Sequence, residues 1–278
     1  MQDVIQIKKA FFLTLLCAGL VLISSVKGVF VPATYFGVLE GTLVPEAQGR
    51  DLVSLVLLPV LLLSAFSALR GSWSAFFAWG GTLVYYFFMY GHYAFSGVHT
   101  GLFFLYVPIA GAGFYSMALI LHSLFLHEKR LQGLEHSRKA VLFAAVSFFV
   151  IACADCYLRG AEVLPLFGTR GAVADLQSTA LVMIFLVPAV IIVGVHALKG
   201  ENGYLMVMGM AASSLFFIHL ALLSGRFWSR QAVIVETEGL GYLAAFAALS
   251  LAAWRVYHKS VRFPQEEEVV DPRQVQRA

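Results

Sequence analysis

The stretch "YYFFMYGHYAFSGVHTGLFFLY" at residues 85–106 concentrates phenol hydroxyls and imidazoles in an otherwise apolar run. On a helix that turns by about 100° per residue, most of its polar tips fall on one half of the helix surface. The polar tips on that half are Tyr85, Tyr86, Tyr90, His92 and Tyr93. Because unpaired hydroxyl and imidazole groups are costly against acyl chains, this half is expected to face other helices or a wet cavity.

Two aspartates and a second histidine lie at related places in other apolar runs. Asp51 and Asp175 each begin such a run, and His219 lies near the end of another. Together with the polar half of the 85–106 stretch they give the predicted ligand-binding set. That set is Asp51, Tyr86, Tyr90, His92, Tyr93, Asp175 and His219.

Three kinds of site use these side chains. His92, His219, Asp51 and Asp175 carry the nitrogen and oxygen donors that bind a divalent metal such as zinc. The two histidines alone are the axial ligand pair of a haem held between two helices. The tyrosine hydroxyls are suited to line a solute pocket at the interface between repeats, where transporters place their binding sites.

Each residue type also has an ordinary structural role. An aspartate at the start of a helix caps backbone N–H groups and suits the helix dipole. A histidine inside a bundle hydrogen-bonds to a neighbouring helix. Tyrosines near a membrane interface form an aromatic belt. Residue types alone leave these interpretations open beside the three kinds of site.

The composition indicates which elements must position these groups. The chain has 278 residues, is 60% hydrophobic and only 13% charged, whereas soluble domains carry about 25% charged residues. Its apolar runs of about 18 residues or more are long enough to cross a hydrocarbon core of about 30 Å as helices. A spanning β-barrel would show alternating segments of about 10 residues instead. The sequence predicts an all-α integral membrane protein, with no segment suited to nucleic acid.

Eight transmembrane helices are predicted. They cover residues 10–30, 52–69, 73–95, 101–126, 140–158, 176–198, 203–224 and 239–256. Thirteen of the 19 lysines and arginines fall on one side of this arrangement. They are Lys8, Lys9, Arg70, Lys129, Arg130, Arg138, Lys139, Lys199, Arg255, Lys259, Arg262, Arg273 and Arg277. Since the side richer in Lys and Arg is cytoplasmic, both termini are predicted inside.

Matching short segments recur in the same order along the two halves of the chain. "KKAFF" at 8–12 matches "RKAVLF" at 138–143, and "ALRG" at 68–71 matches "ALKG" at 197–200. Four helices per unit is an even number, so both units point the same way across the membrane and form a parallel repeat. The predicted organisation is a first four-helix repeat at 1–127, a basic cytoplasmic linker at 128–139, a second repeat at 140–262 and a disordered cytoplasmic tail at 263–278.

The segment from "GRDLVSLVLLPVLL" at 49–62 to "YGHYAFSGVHTGLFFLYVPI" at 90–109 resembles parts of uncharacterised bacterial multi-pass inner-membrane proteins. The resemblance covers roughly the second to fourth predicted spans. It implies a bacterial plasma-membrane setting and carries no activity.

The sequence therefore predicts a polytopic membrane protein that binds or passes a small solute or ion. The predicted site is polar, has pseudo-two-fold symmetry and lies near the outer face. A membrane-embedded enzyme that depends on a metal or a haem is the first alternative, and an accessory subunit of a membrane complex is the second. The expected partners are the lipid bilayer, the solute or ion, and a second copy of the chain or another membrane subunit.

Overall fold

The computed structural model describes residues 2–35, 43–95, 101–126, 137–163, 187–232 and 238–261, and over these ranges the regular structure is helical. One α-helix lies in each of the eight predicted segments. They are α1 (Gln2–Phe30), α2 (Leu43–Leu69), α3 (Ala75–Phe95), α4 (Phe103–Leu126), α5 (Arg138–Val163), α6 (Val187–Leu198), α7 (Asn202–Ala232) and α8 (Glu238–Ser260). The predicted tail at 263–278, most of the predicted linker at 128–139, and Asp175 lie outside the described residues.

Five of these helices, α1, α2, α4, α7 and α8, are long and apolar enough to cross a membrane. Their outward surface carries large apolar side chains such as Phe12, Leu63 and Phe104, whereas hydroxyl groups such as those of Thr14 and Ser213 are buried between helices. This arrangement reverses the pattern of a water-soluble protein. It is the pattern expected where the surroundings are acyl chains and polar side chains must find partners inside the bundle.

The helices pack as two four-membered rings. In the first ring α1 contacts α2, α2 contacts α3, α3 contacts α4, and α4 returns to α1. In the second, α5 contacts α6, α6 contacts α7, α7 contacts α8, and α8 returns to α5. Helix α7 joins the rings because it also packs along α2 and α3. We call the end of the bundle that carries Glu46 the Glu46 end, and the opposite end the Lys8 end.

The same turn closes a helix in each ring at the Lys8 end. Gly71 follows α2 and Gly200 follows α6, with φ angles of 96° and 86° that favour glycine. In both turns the glycine N–H donates to the carbonyl three residues back, at 3.0 Å. The N–H of the next residue donates to the carbonyl five residues back, at 3.1 Å for Ser72 and 3.2 Å for Glu201. This is a Schellman cap, formed by the matching "ALRG" and "ALKG" segments.

Two helices extend further toward the Glu46 end than their apolar runs predict. Helix α2 begins at Leu43 rather than at residue 52, and α7 continues to Ala232 rather than ending at 224. The extensions hold charged residues that interrupt the apolar runs but stay helical, because Glu46 pairs with Arg50 and lies within 4.0 Å of Arg226. Asp51 is therefore in the third turn of α2. The interpretation of Asp51 as a helix N-cap is wrong, since eight helical residues precede it.

The two extensions pack closely against each other. A Cβ atom on Gly49 of α2 would lie 2.6 Å from the Ser224 carbonyl oxygen and 2.7 Å from the Gly225 Cα in α7. A Cβ on Gly225 would in turn lie 2.8 Å from the Glu46 carbonyl oxygen. The Ser224 hydroxyl also donates to the Gly49 carbonyl oxygen at 3.0 Å. Backbone-to-backbone contact thus holds the two rings together at this end.

Gly49→Ala is expected to destabilise the protein by about 1–3 kcal/mol, because the added methyl group meets backbone atoms that have no room to move. The matched control is Gly19→Ala in α1, where a Cβ meets nothing within 4 Å. The control should be neutral or stabilising by about 0.5–1 kcal/mol through helix propensity. Thermal unfolding of both variants in detergent, followed by tryptophan fluorescence, measures the difference. Equal midpoints for the two variants would contradict this packing.

Candidate functional site: a buried carboxylate among tyrosines

Asp51 lies inside the first ring near the Glu46 end, with only 1% of its surface exposed. Tyr35 follows α1 and a short 3-10 turn. Its hydroxyl donates a hydrogen bond to Asp51 Oδ2. Helix α1 approaches this pair at Gly28, where a Cβ atom would lie 2.7 Å from the Tyr35 hydroxyl oxygen and 2.8 Å from Asp51 Cγ. A larger residue at position 28 would displace the carboxylate or the tyrosine.

The hydroxyl of Tyr35 is a neutral donor. Burial raises its pKa well above the ordinary value, and the nearby Asp51, Tyr93 and Tyr106 raise it further. Tyr35 therefore keeps its proton over the whole physiological pH range and supplies it to Oδ2.

An ion-pair network lies beside the carboxylate. The Arg50 guanidinium donates to Glu46 Oε1 one turn earlier on α2, and Arg226 Nε from α7 is 4.0 Å from the same oxygen. The Glu46 side chain is only 10% exposed, so these are partly desolvated charges that depend on one another. The network therefore links α2 to α7 at the residue that precedes Asp51.

The tyrosines of α3 direct their hydroxyls to α1 and α2. Tyr90 shares a hydrogen bond of 2.7 Å with Ser25 of α1, and Tyr85 shares one of 2.9 Å with Ser54 of α2. Tyr86 donates to the Ser54 carbonyl oxygen at 2.9 Å. All three tyrosines are fully buried. The prediction that the polar half of this helix faces other helices is confirmed for these three side chains, and the aromatic-belt interpretation does not apply to them.

The aromatic rings around Asp51 form a continuous packed group. The Tyr90 ring lies 6.1 Å from Tyr86 and 5.7 Å from Tyr106 of α4, centroid to centroid, and Tyr93 lies 5.3 Å from Tyr106. We call Asp51, Arg50, Tyr35, Tyr90 and Tyr93 the Asp51 cluster. Tilted ring pairs at these distances stabilise one another and fix the positions of their hydroxyls.

One oxygen of the carboxylate is without a hydrogen bond. Asp51 Oδ1 is buried and has no donor among the described residues, and the nearby Arg50 Nε–H has no acceptor among them. A buried acceptor without a partner costs about 1–3 kcal/mol, and more when it carries charge. A group that donates a hydrogen bond or brings a positive charge to this oxygen would remove that cost.

The two predicted histidines lie in different surroundings. His92 is in the last turn of α3, with its ring centroid 6.1 Å from that of Tyr93. His219 is buried in α7, where Nδ1 is 2.8 Å from the Leu215 carbonyl oxygen and 3.4 Å from the Ser250 hydroxyl of α8. The expected role of His219 as a hydrogen-bonding residue between helices fits these contacts.

The structure brings part of the predicted set together. Asp51, Tyr86, Tyr90 and Tyr93 line the interior of the first ring. Over the described ranges, no group of three or more His, Cys, Asp and Glu side chains is arranged to hold a metal ion. Since Asp175 is outside those ranges, the four-residue metal site and the haem pair remain predictions.

Several residues of the cluster were not among the predicted ligands. Glu46 and Arg50 lie four residues apart, a spacing that places opposite charges on one helix face, so a helical interpretation of 43–51 would have found them. Ser25 and Ser54 carry no such signal, because serines are common in buried helices. Tyr35 lies in a connection, and only the three-dimensional structure places it against Asp51.

Comparisons of the chain with protein-family models, with curated proteins and with solved structures gave no match. The functional inference therefore rests on the chemistry of the Asp51 cluster.

Tyr35→Phe is expected to lower the unfolding free energy by about 1–3 kcal/mol, because Oδ2 of a buried carboxyl loses its donor while the ring packing stays. Tyr115→Phe is the matched control, since the Tyr115 side chain is 63% exposed. Thermal unfolding in detergent gives both values. If Tyr35→Phe has the same unfolding midpoint as the control and the parent protein, the Tyr35–Asp51 hydrogen bond does not stabilise the fold.

Proposed function

We propose that this chain is a multi-pass plasma-membrane protein that binds or passes a small solute or ion at the Asp51 cluster. The observation that carries the proposal is the buried Asp51 carboxyl, whose Oδ1 has no hydrogen-bond donor in the described part of the chain. Ionisable side chains inside membrane bundles are expensive and mark ligand or ion sites far more often than structural contacts. Packing alone would be better served by an apolar residue at position 51.

The distribution of basic residues supports an outward-facing site. The described basic residues at the Lys8 end are Lys8, Lys9, Arg70, Arg138, Lys139, Lys199, Arg255 and Lys259, whereas those at the Glu46 end are Lys27, Arg50, Arg159, Arg226 and Arg230. The richer end is cytoplasmic under the positive-inside rule. All eight helices then span the bilayer, both termini are inside, and Asp51 lies in the outer third of the membrane.

The parallel repeat is part of the same proposal. The two rings have the same order of helix contacts, and the same capped turn follows the second helix of each. Helices α3 and α7, the third of each ring, pack directly on each other, as they would beside a pseudo-two-fold axis. Counted from the turn glycines, His219 corresponds to Tyr90 and not to His92. This register favours Asp51, rather than a shared pair of histidines, as the centre of the site.

The test is a thermal-shift screen of the purified protein against small amino acids, sugars, polyamines, carboxylates and inorganic ions. At least one class is expected to raise the unfolding midpoint of the parent protein and to be without effect on Asp51→Asn. Glu201→Gln is the matched control, because Glu201 is an exposed acid at the Lys8 end that pairs with His196. A stabilising solute is then tested for uptake into proteoliposomes.

Two results would contradict the proposal. Either no class stabilises the parent protein, or the stabilisation is the same in Asp51→Asn. The visible spectrum and the metal content of the same preparation separate the enzyme alternative. A Soret band, or stoichiometric zinc or iron that is lost on substitution of His92 and His219, would move the function to a haem or metal enzyme.

A further inference from the structure

The groups that face Asp51 define what its free oxygen can accept. Helix α2 itself contributes Arg50 and its ion-pair partner Glu46. The connection after α1 contributes Tyr35, which donates to Oδ2. Helix α3 contributes tyrosines within electrostatic reach, Tyr85, Tyr90 and Tyr93, and α4 adds Tyr106 through its contact with Tyr93. Helix α7 contributes Arg226, which is near Glu46.

Most neighbouring donors have other acceptors, and Arg50 Nε, which has no acceptor among the described residues, does not donate to Oδ1 either. The Tyr35 proton goes to Oδ2, the Tyr86 proton goes to the Ser54 carbonyl oxygen, and Tyr90 shares its bond with Ser25. The Arg50 guanidinium pairs with Glu46. Satisfying Oδ1 therefore requires a positive or proton-donating species that the described side chains do not supply.

The charge and packing of the cluster narrow the class of this species. An anion is disfavoured at Oδ1 because this atom is itself a carboxylate oxygen, and the two nearby guanidinium groups, Arg50 and Arg226, already lie against Glu46. A divalent cation is disfavoured because it prefers several carboxylate or carbonyl oxygens, and Asp51 is the one carboxylate that the described contacts leave with an open oxygen. The carboxylate is closely packed, since a Cβ atom on Gly28 would lie 2.8 Å from Asp51 Cγ, and this favours an occupant of atomic size over an organic molecule.

We propose that the Asp51 cluster binds one small monovalent cation, a proton or an alkali-metal ion, at Asp51 Oδ1. This inference rests on the proposed function and names the ligand of the same site. The cation neutralises the buried carboxylate, and Tyr35 holds the other oxygen in place. The Glu46–Arg50–Arg226 network ties α2, next to Asp51, to α7.

The experiment compares unfolding midpoints of the parent protein, Asp51→Asn and Glu201→Gln in two series. The first series replaces choline chloride by NaCl or KCl at constant ionic strength and constant pH. A cation that binds only the folded protein raises the midpoint as its concentration increases. The second varies pH from about 5 to about 8 in choline chloride. A carboxyl that keeps its proton when folded but ionises when unfolded makes the midpoint fall as pH rises.

The parent protein and Glu201→Gln are expected to respond in one of the two series, and the response of Asp51→Asn in that series is expected to be smaller. A response to Na⁺ or K⁺ identifies an alkali-metal site, and a response to pH alone identifies a proton site. Equal slopes for the parent protein and Asp51→Asn in both series would overturn the inference. If another solute still stabilises the parent protein through Asp51, the proposed function survives that result.

Tyr35→Phe keeps the experiment decisive if Asp51→Asn does not fold. Removing the donor to Oδ2 makes the carboxylate a better cation acceptor, because a hydrogen bond of about 1 kcal/mol no longer stabilises its charged form. The half-saturating cation concentration should fall by about fivefold, or the pH response should move to higher pH. An unchanged half-saturation point in Tyr35→Phe would overturn the inference independently.

Discussion

The structure depends on a carboxylate kept inside a bundle that faces lipid. Asp51 is 1% exposed and is held by the Tyr35 hydroxyl. Because a charge in such a place is tolerated only with partners, the surrounding elements are arranged to supply them. Helix α1 leaves room at Gly28, α3 directs a row of phenols inward, and the connection after α1 returns Tyr35 to the carboxylate. The residues that hold Asp51 are thus the same residues that pack the first ring together.

The same constraint accounts for the contact between the two rings. Glu46 and Arg50 of α2 form an ion-pair network with Arg226 of α7. The close contact between Gly49 of α2 and Gly225 of α7 lies within one helical turn of this network. Any movement of α7 relative to α2 must change this ion-pair network, which includes Arg50 of the Asp51 cluster. In the proposed function, this helix pair is therefore the element through which opening of the site would be coupled to the second ring.

Hydropathy located the eight helices of the described residues, because long apolar runs are a strong signal, and five of these helices are long and apolar enough to cross a membrane. It misplaced the start of α2 and the end of α7. There the helix continues through paired charged residues, whereas the apolar run on which the prediction was based ends before them. Helical periodicity identified the inward-facing tyrosines. Hydroxyl groups are costly against acyl chains, so they turn toward polar partners on other helices. It did not find Tyr35 or Ser25, because their roles come from contacts between distant parts of the chain. The apparent match between His92 and His219 is displaced by two residues when the helices are counted from their turns.

The central claim is that Asp51 exchanges a small cation while buried. Infrared difference spectroscopy of the reconstituted protein observes the carboxyl group itself. Spectra recorded with and without Na⁺, and at low and high pH, should show a carboxyl or carboxylate band that changes in the parent protein and is absent from the spectra of Asp51→Asn. Identical difference spectra for the two proteins would contradict the account.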